Sequence, residues 1–330
     1  MSRKRGPGGS SDTSSTPAER VLAMVARAPG GLHWLGEPAR LLDAAWPDSL
    51  VEVYRAFDGA SLFHEAVVLV PATQVRRRAD AGVSGYAVGS LDGDDLVVDD
   101  RARVWRHEQD SGEWLPEGER FDRWLLGVIE AQEVLYERDG EFADEVFDDS
   151  GEPVPEVSER MQRRILKRDR DAPGPRWRLA RALVQQGKVE AGRDQLETLV
   201  AARPEFAWAW YDLARISESL GALEQALDEM EAAATAQPGY EHAGFFWAQA
   251  ARLARALGDE ARRQACADRA RADAPDLAAG QREGAQASLD EGDLDAALEL
   301  VETALALSPR DLVAVDLRAR IQARREAGDD

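Results

Sequence analysis

Four histidines, one cysteine and a run of aspartates are the residues of this 330-residue chain with the most chemical potential. His33, His64, His107 and His242 are scattered, with no His-Glu-x-x-His or comparable metal spacing, which leaves them structural or surface residues. Cys266 stands alone, so it makes neither an internal disulfide nor a zinc site and reads as a buried, reduced thiol. Asp92, Asp94, Asp95, Asp99 and Asp100 are spaced in a way that suggests calcium. The segment lacks the loop glycine, however, and has Arg103 where a bidentate glutamate belongs, so it reads as a solvated hairpin edge. The sequence contains no nucleophile elbow, Walker loop or dinucleotide fingerprint. The expectation is a binding protein, not an enzyme, with no catalytic residues, no metal and no cofactor.

Charge narrows the partners. The formal net charge is −21, from 41 basic and 62 acidic residues. Phosphates and anionic lipid surfaces would be repelled, so no nucleic acid and no membrane is expected as a partner. No stretch of 18 uncharged apolar residues exists and the amino end lacks a secretory core, so the expected location is cytoplasmic. The Gly/Ser/Thr-rich residues 1–17 are expected to be a disordered tail. Residues 21–150 carry a net −15, and residues 130–159 hold 12 acids against Arg138 alone. A basic cluster, Arg160, Arg163, Arg164, Lys167, Arg168 and Arg170, follows at once. Gly151-Glu-Pro-Val-Pro155 reads as a linker, which sets a domain boundary near residue 150. Asp92, Asp94, Asp95, Asp139, Glu141, Asp144, Glu145, Asp148 and Asp149 form a candidate acidic surface for a basic partner. The acidic run has two other readings: a solvated helix end with a linker, or an internal docking segment for the basic cluster or for the arginines below.

The carboxyl-terminal half is periodic. Gly187, Gly221, Gly258 and Gly292 are each followed 17 residues later by a proline, Pro204, Pro238, Pro275 and Pro309, in units 34, 37 and 34 residues apart. Glycine permits the positive φ of a tight turn between two helices, and proline stops the second helix. The unit 207–240 carries Trp210, Leu213, Ala214, Gly221, Ala226, Ala233 and Pro238, and the last unit carries Ala285, Gly292, Ala297, Ala304 and Pro309. This pattern resembles the tetratricopeptide repeat. The third unit departs from it at Arg263, where a small residue is usual. The first departs at Gly192, and at Trp177, one step past the usual tryptophan. The resemblance covers about residues 173–327, as four repeats with residues 311–327 as a terminal capping helix. Residues 151–172 are then an acidic/basic linker and a helix capping the other end. The resemblance implies a peptide-binding concave face made by the first helix of each unit. Its register gives that face Trp177, Arg181, Trp208, Tyr211, Arg215, Phe245, Arg252, Arg255 and Arg282. Arg181, Arg215 and Arg252 recur at one register position and form a ladder suited to a peptide with carboxylates. The other reading is a set of solvated helix faces whose arginines pair with nearby acids.

Residues 18–150 read as an α+β domain, a small mixed or antiparallel sheet with helices on one side, followed by the all-α tetratricopeptide-repeat solenoid. Pro17–Arg27, Asp48–Phe57 and Arg120–Tyr136 read as helices, with Asp48 and Ser49 supplying cap chemistry. The apolar runs Glu65–Val70, Tyr86–Gly89, Asp95–Val98 and Ala102–His107 read as strands, with a hairpin turn at Asp92-Gly93. Phe121, Trp124, Leu125, Val128 and Ile129 form one face of an amphipathic helix. Trp46-Pro-Asp-Ser-Leu50, Tyr54-Arg-Ala-Phe-Asp-Gly-Ala60, the segment Tyr86 to Leu96, Arg103-Val-Trp-Arg106 and Glu119-Arg-Phe-Asp-Arg-Trp-Leu125 resemble the SUKH superfamily. That family usually has leucine where Trp46 stands. The resemblance, over about residues 30–136, implies protein binding, either as immunity proteins against secreted toxins or as scaffolds. The chain is therefore expected to be a cytoplasmic adaptor or scaffold whose repeat groove takes proteins or acidic peptide segments. The alternative is an immunity protein that neutralises a basic, nuclease-type toxin through the amino-terminal domain. An enzyme with an unrecognised site is the least favoured reading.

Overall fold

The computed structural model describes residues 16–328 apart from Ala81. Most of the expected disordered tail, residues 1–15, lies outside the described residues. The chain divides into two compact units, Met1–Lys188 and Val189–Asp330.

In the first unit α1 (Pro17–Val25) begins with a capping box, Thr16 and Glu19 exchanging side chain to backbone bonds, and has Pro17 in its first turn. In α2 (Asp48–Ala56) the capping position is Pro47 and no side chain caps it. The cap chemistry expected of Asp48 and Ser49 is therefore absent. Asp48 sits in the first turn, where the helix dipole favours it, and Ser49 is buried.

Among the described residues eight strands follow one another in antiparallel pairs: β1 (His33–Leu35), β2 (Ala60–Leu62), β3 (Val67–Leu69), β4 (Arg76–Asp80), β5 (Val83–Leu91), β6 (Asp94–Asp99), β7 (Val104–His107) and β8 (Trp114–Gly118). The sheet order is β1-β2-β3-β5-β6-β7-β8, and β4 also pairs with β5. One edge of β5 is thus shared, Val83–Ala87 facing β4 and Gly89–Leu91 facing β3. Gly89 makes the exchange possible: its φ is 153°, and a β-carbon there would lie 1.8 Å from the Val68 carbonyl oxygen. The expected turn at Asp92-Gly93 joins β5 to β6, with φ of 51° and 91°.

Helix α3 (Phe121–Gln132) lays Phe121, Trp124, Leu125, Val128 and Ile129 into the core, as its periodicity requires. It ends at Gln132, and a short 3-10 turn, Glu133–Leu135, carries the chain on to Tyr136, where the helix was expected to end. Its other side is covered as well. Helix α4 (Pro155–Arg168) adds Val157, Met161 and Ile165 to the same core, and a β-carbon on Gly127 would meet the Ile165 Cα at 2.8 Å. Glu130 forks onto Arg168 and its carbonyl accepts from Arg164 at 2.7 Å, so the start of the acidic run pairs with the basic cluster. Helix α5 (Pro173–Gln185) completes the unit. Lys188, Arg163 and Gln186 all bond Glu159, and the Lys188 bond above all holds that carboxyl down to about 2.

The second unit is helical throughout its described residues: α6 (Val189–Ala202), α7 (Ala207–Ser219), α8 (Leu223–Thr235), α9 (Ala243–Leu257), α10 (Glu260–Asp273), α11 (Leu277–Glu291), α12 (Leu294–Leu307) and α13 (Leu312–Gly328). The four periodic glycines have φ between 75° and 91°, and the periodic prolines stand two residues past α6, α10 and α12 and three past α8. A buried network pins α6 to the next pair. Arg193 donates to Ser217 at 2.9 Å and to Glu229 at 3.0 Å, and Ser217 donates to Glu229 at 2.6 Å. At the fourth unit it is the second helix, α12, that packs on α9 and α10.

Asp169, at the end of α4, accepts the Glu119 and Arg120 backbone N–H groups ahead of α3 at 2.7 and 3.2 Å. Burial pushes its carboxyl up to about 6, against the opposing pull of those two bonds. The folded state therefore holds this proton more tightly than the unfolded chain. The stabilisation is complete below the unfolded value near 4 and is lost as pH rises to about 6. Asp169→Asn keeps an acceptor oxygen and removes the titration. Relative to this variant, the wild-type protein is expected to lose ~1–3 kcal/mol between pH 4 and pH 7, read as the difference between their urea midpoints.

Candidate functional site

The ladder residues of α7 and α9 come together on one face, beside an aromatic group. Trp208, Tyr211 and Arg215 lie at i, i+3 and i+7 of α7, and Phe245 and Arg252 lie seven apart on α9. Tyr211 stands 5.4 Å from Trp208 and 5.7 Å from Phe245 between ring centroids, and Phe246 packs beneath both Trp208 and Tyr211. Burial raises the Tyr211 phenol above its ordinary value.

Each of these arginines has an acid of the same unit. Arg252 forks onto Glu218 of α7 at 2.6 and 2.8 Å and takes the Gln249 amide oxygen at 2.9 Å. Burial works to raise the Glu218 carboxyl, but the Arg252 bonds and charge outweigh it and hold the carboxyl below the usual range. Arg215 bonds Glu299, which also stands 3.9 Å from Arg252. Arg255 pairs with Glu302. Glu299 and Glu302 both belong to α12, so this helix lies on the ladder with carboxylates at i and i+3. Ala306 and Leu307, further along it, join the apolar cluster of Phe246, Trp247 and Ala207. The opposite side of α12, Ala297, Val301 and Ala304, belongs to a different cluster with α11 and α13.

Arg263 secures the end of this arrangement. It is 3% exposed and its Nη1 donates to the Ala306 carbonyl, an acceptor at the α12 terminus, while Glu260 binds its other side. The departure from the repeat pattern at residue 263 is thus the contact that receives α12.

The remaining ladder residues lie elsewhere. Arg282 of α11 bonds Asp311 at 2.6 Å. Trp177 and Arg181 lie in the first unit, with the guanidinium 5.1 Å from the indole centroid, and line a cleft there. The expected acidic surface also divides. Asp94 pairs with Arg106 and Asp95 with Arg78. Asp99 and Asp100 pair in the same way with Arg103 and Arg77, so this hairpin edge is laced by arginines of neighbouring segments. Asp92, Asp139, Glu141, Asp144, Glu145, Asp148 and Asp149 are exposed. The cysteine, Cys266, is buried, and burial pushes its thiol up to about 12, which leaves it inert at neutral pH.

Sequence reasoning missed Glu218, Glu299 and Glu302. Glu218 lies three residues past Arg215 on the same helix and could have been found from that spacing. The two glutamates of α12 carry no such signal, because the repeat register directs the first helix of each unit, not the second, to this face.

The family-model comparison fits the repeat reading. Residues 178–241 match the tetratricopeptide repeat family model. No curated protein matches the chain. Among solved structures, a thermophilic tetratricopeptide protein of Thermus thermophilus is 26% identical over 51% of this chain and 89% of its own, with a TM-score of 0.33. YrrB, described as having an unusual peptide-binding site, is 16% identical over 50% of this chain and 84% of its own, at 0.34. A tetratricopeptide protein of Parabacteroides merdae is 13% identical over 60% of this chain and 72% of its own, at 0.39.

Reversing the two α12 charges places cations against Arg215, Arg252 and Arg255. Glu299→Lys with Glu302→Lys is expected to speed amide hydrogen exchange in α12 by about tenfold, with α7 and α8 changed by less than about twofold.

Proposed function

We propose that the chain is a non-enzymatic protein-interaction adaptor or scaffold whose α7–α9 face binds acidic helical segments. The observation that carries this reading is the seating of α12, a helix bearing carboxylates at i and i+3 with the apolar residues Ala306 and Leu307 beyond. Guanidinium groups recognise carboxylates directionally, and the rings of Trp208, Tyr211 and Phe245 supply apolar area at little entropic cost. An external acidic helix reaches the face by displacing α12, so the resting chain is self-occupied and binds outside partners weakly. The tetratricopeptide match at residues 178–241 supports a peptide-binding role. In this reading the repeat array runs from about residue 173 to 327, in the cytoplasm, and the amino-terminal unit is a second, SUKH-like recognition module. The pieces that carry that resemblance fall at the start of α2, the α2–β2 junction, the β5–β6 hairpin, β7 and the start of α3.

The test is calorimetric titration of the full chain with a synthetic peptide of residues 294–308. Peptide binding is expected to strengthen about tenfold in the Glu299→Lys/Glu302→Lys chain, where α12 competes less, and to disappear when Arg215→Ala and Arg252→Ala are added. A peptide with both glutamates replaced by glutamine should bind at least about fivefold more weakly. Equal binding of the two peptides, or none by the charge-reversed chain, overturns the reading.

A further inference from the structure

The first unit contains a cleft of about 1400 Å³ within its own residues. That exceeds the ~300–1,000 Å³ typical of small-molecule pockets and suits a length of polypeptide. Its walls come from the β2–β3 turn, the β5–β6 turn, the segment after β7, residues 142–153, and helices α4 and α5.

The lining is acidic. Glu65, Asp92, Asp94, Glu108, Asp110 and Asp148 face Arg106, Arg178 and Arg181. Those cations are engaged already: Arg106 donates to Asp94 at 2.7 Å, Arg178 bonds the buried Glu117, and Arg181 lies over the Trp177 ring. Asp92 and Asp110 are exposed, and no ion pair joins either to a described cation within 4 Å. Apolar surface accompanies the charge. Phe142, 53% exposed, stacks on Tyr136 at 4.8 Å and meets Phe147 edge-on at 5.1 Å.

A buried polar group in the wall points to a ligand. Gln162 of α4 is 7% exposed, and its Oε1 has no hydrogen-bond partner. A native fold rarely leaves a buried acceptor unmet; Gln162 lines the cleft, and a turn of its side chain would present the acceptor to an N–H donor entering there.

We propose that this cleft is the docking site for a cationic segment of a partner protein, one presenting lysine or arginine between apolar side chains. Ammonium or guanidinium groups answer the unpaired carboxylates and the Gln162 acceptor, and the aromatic wall takes the intervening apolar side chains. The cleft walls desolvate Asp92 and raise its carboxyl above its ordinary value, with Arg106 and Arg178 opposing, and a bound cation would bring it back down. The proposal stands apart from the reading of the α7–α9 face, since that face attracts the opposite charge.

The probe is a fluorescein-labelled peptide of eight residues, alternating lysine and leucine, read by anisotropy with the full chain. Binding is expected, and Asp92→Asn with Asp110→Asn should weaken it about fivefold. Asparagine suits the left-handed backbone of residue 92, where φ is 51°. Glu190→Gln with Glu224→Gln makes the same change in net charge elsewhere and should alter affinity by less than about twofold. Gln162→Leu should weaken binding about threefold without lowering Tm, because it removes an acceptor that the free protein leaves unmet. Equal weakening by the two double variants, unchanged affinity in Gln162→Leu, or equal binding of a glutamate–leucine peptide overturns the proposal, as does no binding at all.

Discussion

Directional pairing of arginine with carboxylate across alanine-rich helices sets the register of the second unit. Alanine surfaces are shallow and offer little to distinguish one helix alignment from another a turn away. Hydrophobic burial drives such helices together but selects poorly among offsets. Forked charge pairs select well, since a planar guanidinium meets a carboxylate in few geometries. Arg252 with Glu218 aligns α9 on α7, and Arg193 with Ser217 and Glu229 aligns α6 on the next hairpin. Arg262, bonded to Asp228 and near Glu231, aligns α10 on α8. The first unit uses the same device where α4 meets α3, through Arg168 and Glu130.

One face therefore serves two ends. Arg252, which stands near Glu299 of α12, also braces α9 against α7 through Glu218. In the proposed role the cost of binding lies in displacing α12 rather than in ordering the arginines. Tethering gives α12 a high effective concentration, so in the proposed role an external helix would compete only by better contacts or when α12 is loosened.

The repeat array was legible because its turns demand a residue type. Only glycine takes the left-handed turn cheaply, and proline ends the helix after it, so Gly187, Gly221, Gly258 and Gly292 announce their hairpins. The core face of α3 was legible for a similar reason, through the spacing of Phe121, Trp124, Leu125, Val128 and Ile129. Four strands were not. β1 and β2 have three residues each, too short for alternation to show. β4 reads Arg-Arg-Arg-Ala-Asp, an edge with no apolar side, and β8 contains Pro116. The candidate site was half legible. Register gathered Trp208, Tyr211, Arg215, Phe245 and Arg252, but it could not reveal that α12 would turn toward them. Arg263 was the trace of that departure, visible as an anomaly and explicable only once its partner carbonyl was located.

The seating of α4 against α3 also governs how the protein can be taken apart. The composition changes sharply near residue 150, and a fragment ending there invites expression. Such a fragment would carry α3 with one flank stripped of Val157, Met161 and Ile165, and with Glu130 parted from Arg168. The bare strip around Gly127 would then be a sticky surface of the fragment's own making, ready to capture proteins that the intact chain never meets.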